Sequence, residues 1–313
     1  MLSCTALLLA LAVAPHADAS AFSRVDPACE EPQAQAEMLV STAWLARHAD
    51  DPDLVILHVG DGRAEYDRGH VPGARLLLWS DFVTDEGGAS AELPSPRQVE
   101  AAFEAAGVSD GSRVVIYGHP IAAARAWATL DWLGHGGHAS VLDGGLEVWR
   151  AEGRPVSREA PRPRRGSLTA RVRPERFVDA DWVRSHLGDP RHALVDARPA
   201  AEFTGGDGGH GGMHAAGHIP GARNLYWEEL IVSRDRPAFR GRDELRALFR
   251  RAGADPGDTV VTYCMVGMRA SVTYFVARLL GYETRFYDGS WVDWSRRGLP
   301  VESGAGARAE GRR

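Results

Sequence analysis

The chemistry suggested by the sequence centres on one cysteine, Cys264, which stands between a predicted strand and a predicted helix. The β-branched run Thr259–Tyr263 predicts the strand, and apolar residues at steps of three and four predict a helix that ends before Gly281. A thiol at a helix start lies in a positive field, because the first amides of a helix have no partners within it. That field favours the thiolate and therefore a nucleophile.

The loop between strand and helix has the composition of an anion-binding site. Gly267 permits a positive φ angle, so successive amides can converge on the sulfur or on a bound anion. A cysteine in this position can also be an inert buried side chain, but an inert cysteine needs neither a curled loop nor a guanidinium. We therefore predict Cys264 as the nucleophile and the following residues as the substrate site: Met265, Val266, Gly267, Met268 and Arg269.

The overall composition is that of a soluble globular protein. The chain has 313 residues, of which 44% are hydrophobic and 25% are charged, which is enough for two domains with their own cores. The net charge of -6 and the lack of a basic stripe interleaved with aromatic residues argue against nucleic-acid binding. Beyond the N-terminal leader, no apolar run reaches the ~18 residues that a membrane span requires.

The first 21 residues have the pattern of a secretory signal peptide. The apolar run Leu7–Ala14 is too short to span a bilayer, and Ala17-Asp18-Ala19 follows it as a cleavage pattern. No lysine or arginine precedes the run, so a disordered alanine-rich leader from a misassigned start is the alternative. We expect residues 1–21 to be a signal peptide and the protein to be periplasmic or secreted.

The three cysteines do not form a disulfide framework. Cys4 would leave with the signal peptide, and Cys29 lies in a polar lead-in before the first predicted element. Cys264 is then the only cysteine in the folded body, which favours a reactive role. A Cys29–Cys264 disulfide is the alternative.

The sequence repeats itself with a period near 146 residues. A His-x-Pro-Gly-Ala-Arg segment, a β-branched run ending in tyrosine, and an aspartate followed by glycine and a tryptophan each occur twice. The paired segments are His70–Arg75 and His218–Arg223, Val114–Tyr117 and Val260–Tyr263, and Asp143–Trp149 and Asp288–Trp294. One period is a domain length, so the chain is a tandem pair of domains.

Each copy alternates predicted strands and helices, which predicts an α/β fold with a mostly parallel sheet flanked by helices. Ligands of such sheets bind at the carboxyl ends of the strands, where the Cys264 loop falls. A proline- and arginine-rich segment separates the copies. We predict a first domain over 38–157, a linker over 158–174 and a second domain over 175–302.

Together, the repeated His-x-Pro-Gly-Ala element, the strand–Cys–loop–helix unit and the terminal Asp-Gly elements resemble the two-domain rhodanese-like sulfurtransferases. The likeness covers about residues 38–302. In that family the N-terminal copy lacks the catalytic cysteine, and here Gly118 stands opposite Cys264. The resemblance therefore implies that the first domain is non-catalytic.

The resemblance implies transfer of a sulfane sulfur from thiosulfate or 3-mercaptopyruvate to cyanide or a thiol, through a persulfide on Cys264. No metal and no organic cofactor are expected, and the protein is expected to be a monomer. Met265 departs from both familiar patterns, since thiosulfate-preferring relatives have a basic residue there and mercaptopyruvate-preferring ones have Cys-Gly-Ser-Gly. Arg269 and the missing Gly-Ser-Gly favour thiosulfate, with 3-mercaptopyruvate as the alternative.

Three further residues belong to the candidate site in a supporting role. Family members with a second basic residue place it where Glu202 stands in this chain. Arg198, in the segment Asp196-Ala197-Arg198, is predicted to hold the strand end by pairing with Asp196 or Glu202.

The second copy carries 11 extra residues between Glu202 and His218, within the glycine-rich run 204–217. His210, His214 and His218 are spaced four apart, which on a helix would suit a metal. The glycines argue against that helix. A flexible loop without a metal site is therefore expected, and the resemblance implies that it borders the active-site mouth.

Two other functions share these features. Phosphatases of the same ancestry use Cys-x5-Arg around a tetrahedral phosphate, whereas Cys264 and Arg269 form Cys-x4-Arg, which favours a smaller sulfur atom. A persulfide carrier that does not turn over needs nothing beyond this loop. It remains an alternative to the enzyme.

Overall fold

The computed structural model describes residues 38–84, 91–207 and 214–304. Within these ranges the chain forms two five-stranded sheets, and every strand pairs in parallel with its neighbours. The predicted α/β fold with two tandem domains is confirmed. None of the described helices combines the length and the apolar character needed to cross a membrane.

The first sheet has the strand order β1-β5-β4-β2-β3. Its strands are β1 (Leu39–Val40), β2 (Leu54–Gly60), β3 (Arg75–Leu78), β4 (Arg113–Gly118) and β5 (Ala139–Leu142). The helices of this domain are α1 (Thr42–His48), α2 (Arg63–Arg68), α3 (Pro96–Ala105), α4 (Pro120–Trp132) and α5 (Gly145–Ala151). Short 3-10 turns lie at Trp79–Asp81 and Gly136–His138.

The second sheet repeats the arrangement with the order β6-β10-β9-β7-β8. Its strands are β6 (Phe177–Val178), β7 (His192–Asp196), β8 (Arg223–Asn224), β9 (Thr259–Tyr263) and β10 (Glu283–Tyr287). The helices are α6 (Ala180–Ser185), α7 (Ala200–Thr204), α8 (Arg242–Arg251), α9 (Ala270–Leu279) and α10 (Ser290–Arg296). Pro174–Arg176 and Trp227–Leu230 are 3-10 turns.

Strand β2, which pairs with β4, has the burial typical of a strand inside a parallel sheet. All seven residues of β2, from Leu54 to Gly60, are buried, as expected for a strand covered by helices on both faces.

In the second domain, α9 ends at Leu279, and Gly281 follows with φ of 90°. A glycine in this left-handed conformation ends a helix without a Cβ clash. The predicted position of the helix end is therefore confirmed.

The two His-x-Pro-Gly-Ala segments are structural turns. The His70 ring stacks on Tyr66 at 3.7 Å, and its Nδ1 lies 2.9 Å from the Tyr66 carbonyl oxygen. The His218 ring stacks on Phe203 at 3.8 Å, with Nδ1 at 2.8 Å from the Phe203 carbonyl oxygen. Both histidines are fully buried. Each histidine thus joins the turn to the short helix before it.

Helices α4 and α9 pack against each other and join the domains. Their apolar side chains belong to one buried cluster that extends through both domains, so the cores are continuous. At the polar end of this contact the Tyr274 hydroxyl donates to the Asp131 carboxylate at 2.6 Å. The linker lies on the first domain, where Arg165 pairs with Glu104 at 2.7 Å and the Leu168 amide donates to Glu104 at 3.1 Å.

Candidate active site

Cys264 follows the last residue of β9, a central strand of the second sheet, at its carboxyl end. The residue has no solvent-exposed surface. Its amide donates to the Ser290 hydroxyl at 3.1 Å, and its carbonyl accepts from the Trp291 amide at 3.0 Å. The start of α10 therefore fixes the backbone on both sides of the thiol.

The loop that follows Cys264 leaves its amides available for a ligand. Within the described part of the chain, the backbone amides from Met265 to Arg269 donate no hydrogen bonds. Gly267 has φ of 79°, as the sequence predicted for a curled loop. A run of free amides around such a turn is an arrangement that binds anions. The loop can therefore stabilise a negatively charged sulfur.

The loop rests on Asp288, at the end of β10. A Cβ atom on Gly267 would lie 2.5 Å from Oδ1 of Asp288, so the glycine is required for this approach as well as for its φ angle. Arg125, from α4 of the first domain, pairs with both carboxylate oxygens of Asp288. The carboxylate also accepts from the Leu93 amide at 3.0 Å. Two residues of the first domain, Leu93 and Arg125, thus bind the aspartate on which the loop packs.

Arg269 is paired with Glu202. Its two terminal nitrogens donate to the two carboxylate oxygens of Glu202, each at 2.7 Å. Burial alone would lower the pKa of Arg269, but the hydrogen bonds to Glu202 and the charge of Cys264 outweigh it and raise the pKa. The guanidinium stays charged beside the thiol. A substrate anion has to compete with Glu202 for it.

Arg198 is placed against Asp196, one of the two partners predicted for it. Its Nε and Nη2 donate to the carboxylate at 3.0 and 2.7 Å, and Nη2 also donates to the Gly217 carbonyl at 2.8 Å. The guanidinium lies over the Trp291 ring at 4.7 Å, and 1% of its side chain is exposed. Arg198 therefore holds the end of β7 to the end of the insertion.

The histidines of the insertion are only in part within the described residues. His210 lies outside them. His218 is engaged with Phe203, and Glu302 lies 3.8 Å from its Nε2. No group of three or more metal-ligating side chains occurs in the ranges that the structure describes.

The corresponding corner of the first domain has no room for a thiol. Gly118 has φ of 147°, and a Cβ atom there would lie 2.1 Å from the Val59 carbonyl oxygen. Helix α4 begins at Pro120, directly after the strand, so this domain has no counterpart of the six-residue loop. The ring of His119 lies against Trp227 of the second domain at 5.7 Å.

Sequence reasoning missed Arg125, Asp288 and Ser290 as parts of the site. For Ser290 a signal existed, because the Asp-Gly-Gly of the first copy becomes Asp-Gly-Ser in the second. Asp288 was seen only as part of the repeated element. No sequence signal connects Arg125 to the loop, since its partner Asp288 is 163 residues away.

Comparison with known proteins gives the family. The model of the rhodanese-like domain matches residues 41–152 and 179–297, which together make up more than half of the chain. The chain belongs to the rhodanese-like family. The family predicted from the sequence is confirmed.

Relatives of this family align over nearly the whole chain. A thiosulfate sulfurtransferase of Corynebacterium glutamicum is 34% identical over 89% of this chain and 94% of its own length. The sulfur carrier protein TtuD of Thermus thermophilus is 33% identical over 87% of this chain and 98% of its own. The crystal structure of SseA of Escherichia coli, described with the rhodanese fold of 3-mercaptopyruvate sulfotransferases, superposes with a TM-score of 0.72 at 28% identity, covering 82% of this chain and 99% of SseA.

Proposed function

We propose that the protein is a sulfurtransferase that stores sulfur as a persulfide on Cys264. The Cys264 thiolate attacks the outer sulfur of thiosulfate, a new S–S bond forms, and the bond to the sulfite group breaks. Sulfite leaves with the bonding electron pair. A thiolate or cyanide then attacks the outer sulfur of the persulfide, takes it, and returns Cys264 as the thiolate.

The observation that carries this proposal is the run of free amides after the thiol. A persulfide anion on Cys264 needs hydrogen-bond donors that are fixed before the reaction, because fixed donors need no rearrangement when charge moves onto the outer sulfur. The amides from Met265 to Arg269 are such donors, and the described residues offer them no other acceptor. Cys264 itself is sheltered from solvent, which strengthens these interactions.

Thiosulfate is the donor that we propose, with 3-mercaptopyruvate as the alternative. Arg269 supplies a charge beside the thiol, and the relative from C. glutamicum is named for thiosulfate. The ion pair with Glu202 favours the alternative, because it offsets a charge that a doubly charged donor would use. The structural likeness to SseA points the same way.

A persulfide carrier is the second candidate. It is favoured by the complete burial of Cys264, which restricts access to the thiol, and by the relative TtuD, which is named a sulfur carrier. A carrier would take up one sulfur per chain and release it only to a protein partner. The enzyme would release it to small acceptors repeatedly.

Steady-state turnover separates these functions. The full chain is assayed with thiosulfate or 3-mercaptopyruvate as donor and cyanide as acceptor, with Cys264→Ser as the control. The enzyme gives many turnovers, faster with thiosulfate, and none in the control, because a hydroxyl cannot store sulfane sulfur. One sulfur per chain without turnover would favour the carrier. Turnover in the Cys264→Ser variant would refute the proposed nucleophile.

We further propose that the protein is exported and loses a leader of about 21 residues, on the sequence pattern alone. These residues lie outside those that the structure describes. Intact-mass measurement of the exported protein checks this, and retention of Met1 would contradict it.

A further inference from the structure

Arg125 is a buried arginine of the first domain whose contacts lie mainly in the second. Its side chain has no exposed surface, whereas that of Asp288 is 14% exposed. The guanidinium lies 5.3 Å from the centre of the Phe286 ring and 5.8 Å from that of Phe177. Burying a cation is costly unless it is paired and hydrogen-bonded. The hydrogen-bond acceptors around Arg125 must therefore offset the cost of burying its guanidinium.

The acceptors of Arg125 connect three segments. One terminal nitrogen donates to the Ala91 carbonyl at 2.8 Å and to Asp288 at 3.0 Å. The other donates to Asp288 and lies 3.5 Å from the carbonyl oxygen of Gly267, the central residue of the Cys264 loop. One guanidinium thus holds a loop of the first domain, the end of β10 and the loop that follows Cys264.

The duplicated fold provides an internal comparison. At the offset of 146 residues that relates Gly118 to Cys264, Arg125 corresponds to Ser271. The Ser271 hydroxyl donates to the same Gly267 carbonyl at 3.2 Å, within its own domain. The second domain thus has a short side chain where the first has one long enough to cross the interface. Of these two side chains, only Arg125 reaches across the interface, and it contacts the loop that follows Cys264.

We propose that Arg125 is a positioning residue for the Cys264 loop, through Asp288 and Gly267. By fixing the Gly267 carbonyl and the carboxylate beneath it, the N-terminal domain holds the loop amides in the orientation that a persulfide needs. The proposal rests on the proposed sulfur transfer for its role. Small misplacements of preorganised groups slow a reaction by about a hundredfold.

The test uses Arg125→Lys and the double variant Arg125→Met/Asp288→Asn in the full chain. The lysine keeps the charge but loses the two-pronged contact. The double variant removes both charges, so no buried carboxylate is left unpaired if the lysine variant does not fold. Tyr274→Phe is the matched control, because it removes a buried hydrogen bond between the same helices without touching the loop.

Two readouts are measured on folded protein. The first is the single-turnover rate of sulfur uptake at saturating thiosulfate, and the second is the rate at which neutral iodoacetamide alkylates Cys264. The Arg125 variants should take up sulfur about ten- to a hundredfold more slowly. Since the loop that follows the buried Cys264 is loosened, they should also be alkylated several-fold faster. Tyr274→Phe should stay within about twofold of the wild type in both.

A loss of stability at the interface would also slow uptake and speed alkylation, but it would appear in Tyr274→Phe as well. Changes confined to the Arg125 variants therefore indicate positioning. Wild-type rates of both reactions in a folded Arg125 variant would overturn the proposal. Equal changes in Tyr274→Phe would also overturn it, because the effect would then belong to the interface as a whole. If the wild type takes up no sulfur from either donor, the proposed function fails, while the alkylation rates still decide whether Arg125 holds the loop.

Discussion

The two domains place different residues at the same three positions of one fold. The positions are the end of the central strand, the first part of the following helix, and the residue after the Asp-Gly pair. The first domain has Gly118, Arg125 and Gly145 there, and the second has Cys264, Ser271 and Ser290. The strand order of the two sheets is the same, but the segment between the central strand and the helix is longer in the second domain.

This difference shows how a duplicated domain can keep a role after losing its nucleophile. In the second domain the strand end holds a thiol, a loop of free amides and a serine that binds the Cys264 amide. In the first domain the helix begins directly after the strand, and Gly118 leaves no space for a side chain. The first domain instead supplies Arg125, which contacts the Cys264 loop of the second domain.

The largest effect is expected when a cysteine replaces Gly118 in the first domain. Gly118→Cys should give no second active site and should destabilise the fold by about 2–6 kcal/mol. The reason is that φ of 147° strains any side chain and that Cβ would lie 2.1 Å from the Val59 carbonyl oxygen. Denaturant unfolding and persulfide stoichiometry measure the two effects.

Gly62→Cys is the control, because a Cβ atom there meets nothing within 4 Å. It should cost less than about 1 kcal/mol. A Gly118→Cys protein of normal stability that stores two sulfurs per chain would contradict the account of the first domain as sterically closed.

The two aspartates that follow β5 and β10 have different partners. Asp288 is paired with buried Arg125, so Asp288→Asn should cost about 3–5 kcal/mol of unfolding free energy. Asp143 accepts from the Phe239 amide at 2.9 Å but has no arginine within ion-pair distance among the described residues. Asp143→Asn keeps an acceptor for that amide. It should be stabilising at neutral pH by less than about 1 kcal/mol.

The pH dependence of the Asp143→Asn effect has a definite sign. Burial raises the pKa of Asp143 above its usual 3.8, against the opposing Phe239 amide and the charge of Arg236. A carboxyl with a raised pKa in the folded state loses stability as pH rises through that pKa. The gain from asparagine should therefore be present at pH 7 and vanish below pH 3.8. A gain that grows toward low pH would contradict it.

An effect on the use of the donor, not on stability, is expected at the ion pair of Arg269 and Glu202. Arg269→Ala should lower kcat/KM for thiosulfate roughly ten- to a hundredfold, since a charged contact is worth about 1.5–3 kcal/mol. Glu202→Gln frees the charge of Arg269 and should lower KM for thiosulfate about three- to tenfold, less for 3-mercaptopyruvate. Added salt should erode that gain. If both variants stay within twofold of wild type, Arg269 does not bind the donor.

Local patterns in the sequence predicted much of this molecule. The fold follows from alternating periodicities and the 146-residue repeat, and the φ of Gly267 follows from a glycine in a short loop. Contacts between distant elements could not be derived in this way. The sequence left Asp196 and Glu202 as possible partners of Arg198. In the folded chain Arg198 pairs with Asp196, and Glu202 pairs with Arg269.

We expect sulfur to be stored only in the second domain, on Cys264. The most direct test treats the full chain with thiosulfate, quantifies the sulfite released and maps persulfides by mass spectrometry of its peptides. The expected result is one sulfite per chain and a single added sulfur atom on the peptide that contains Cys264. A persulfide on Cys29, or sulfite release with an unmodified Cys264, would contradict it.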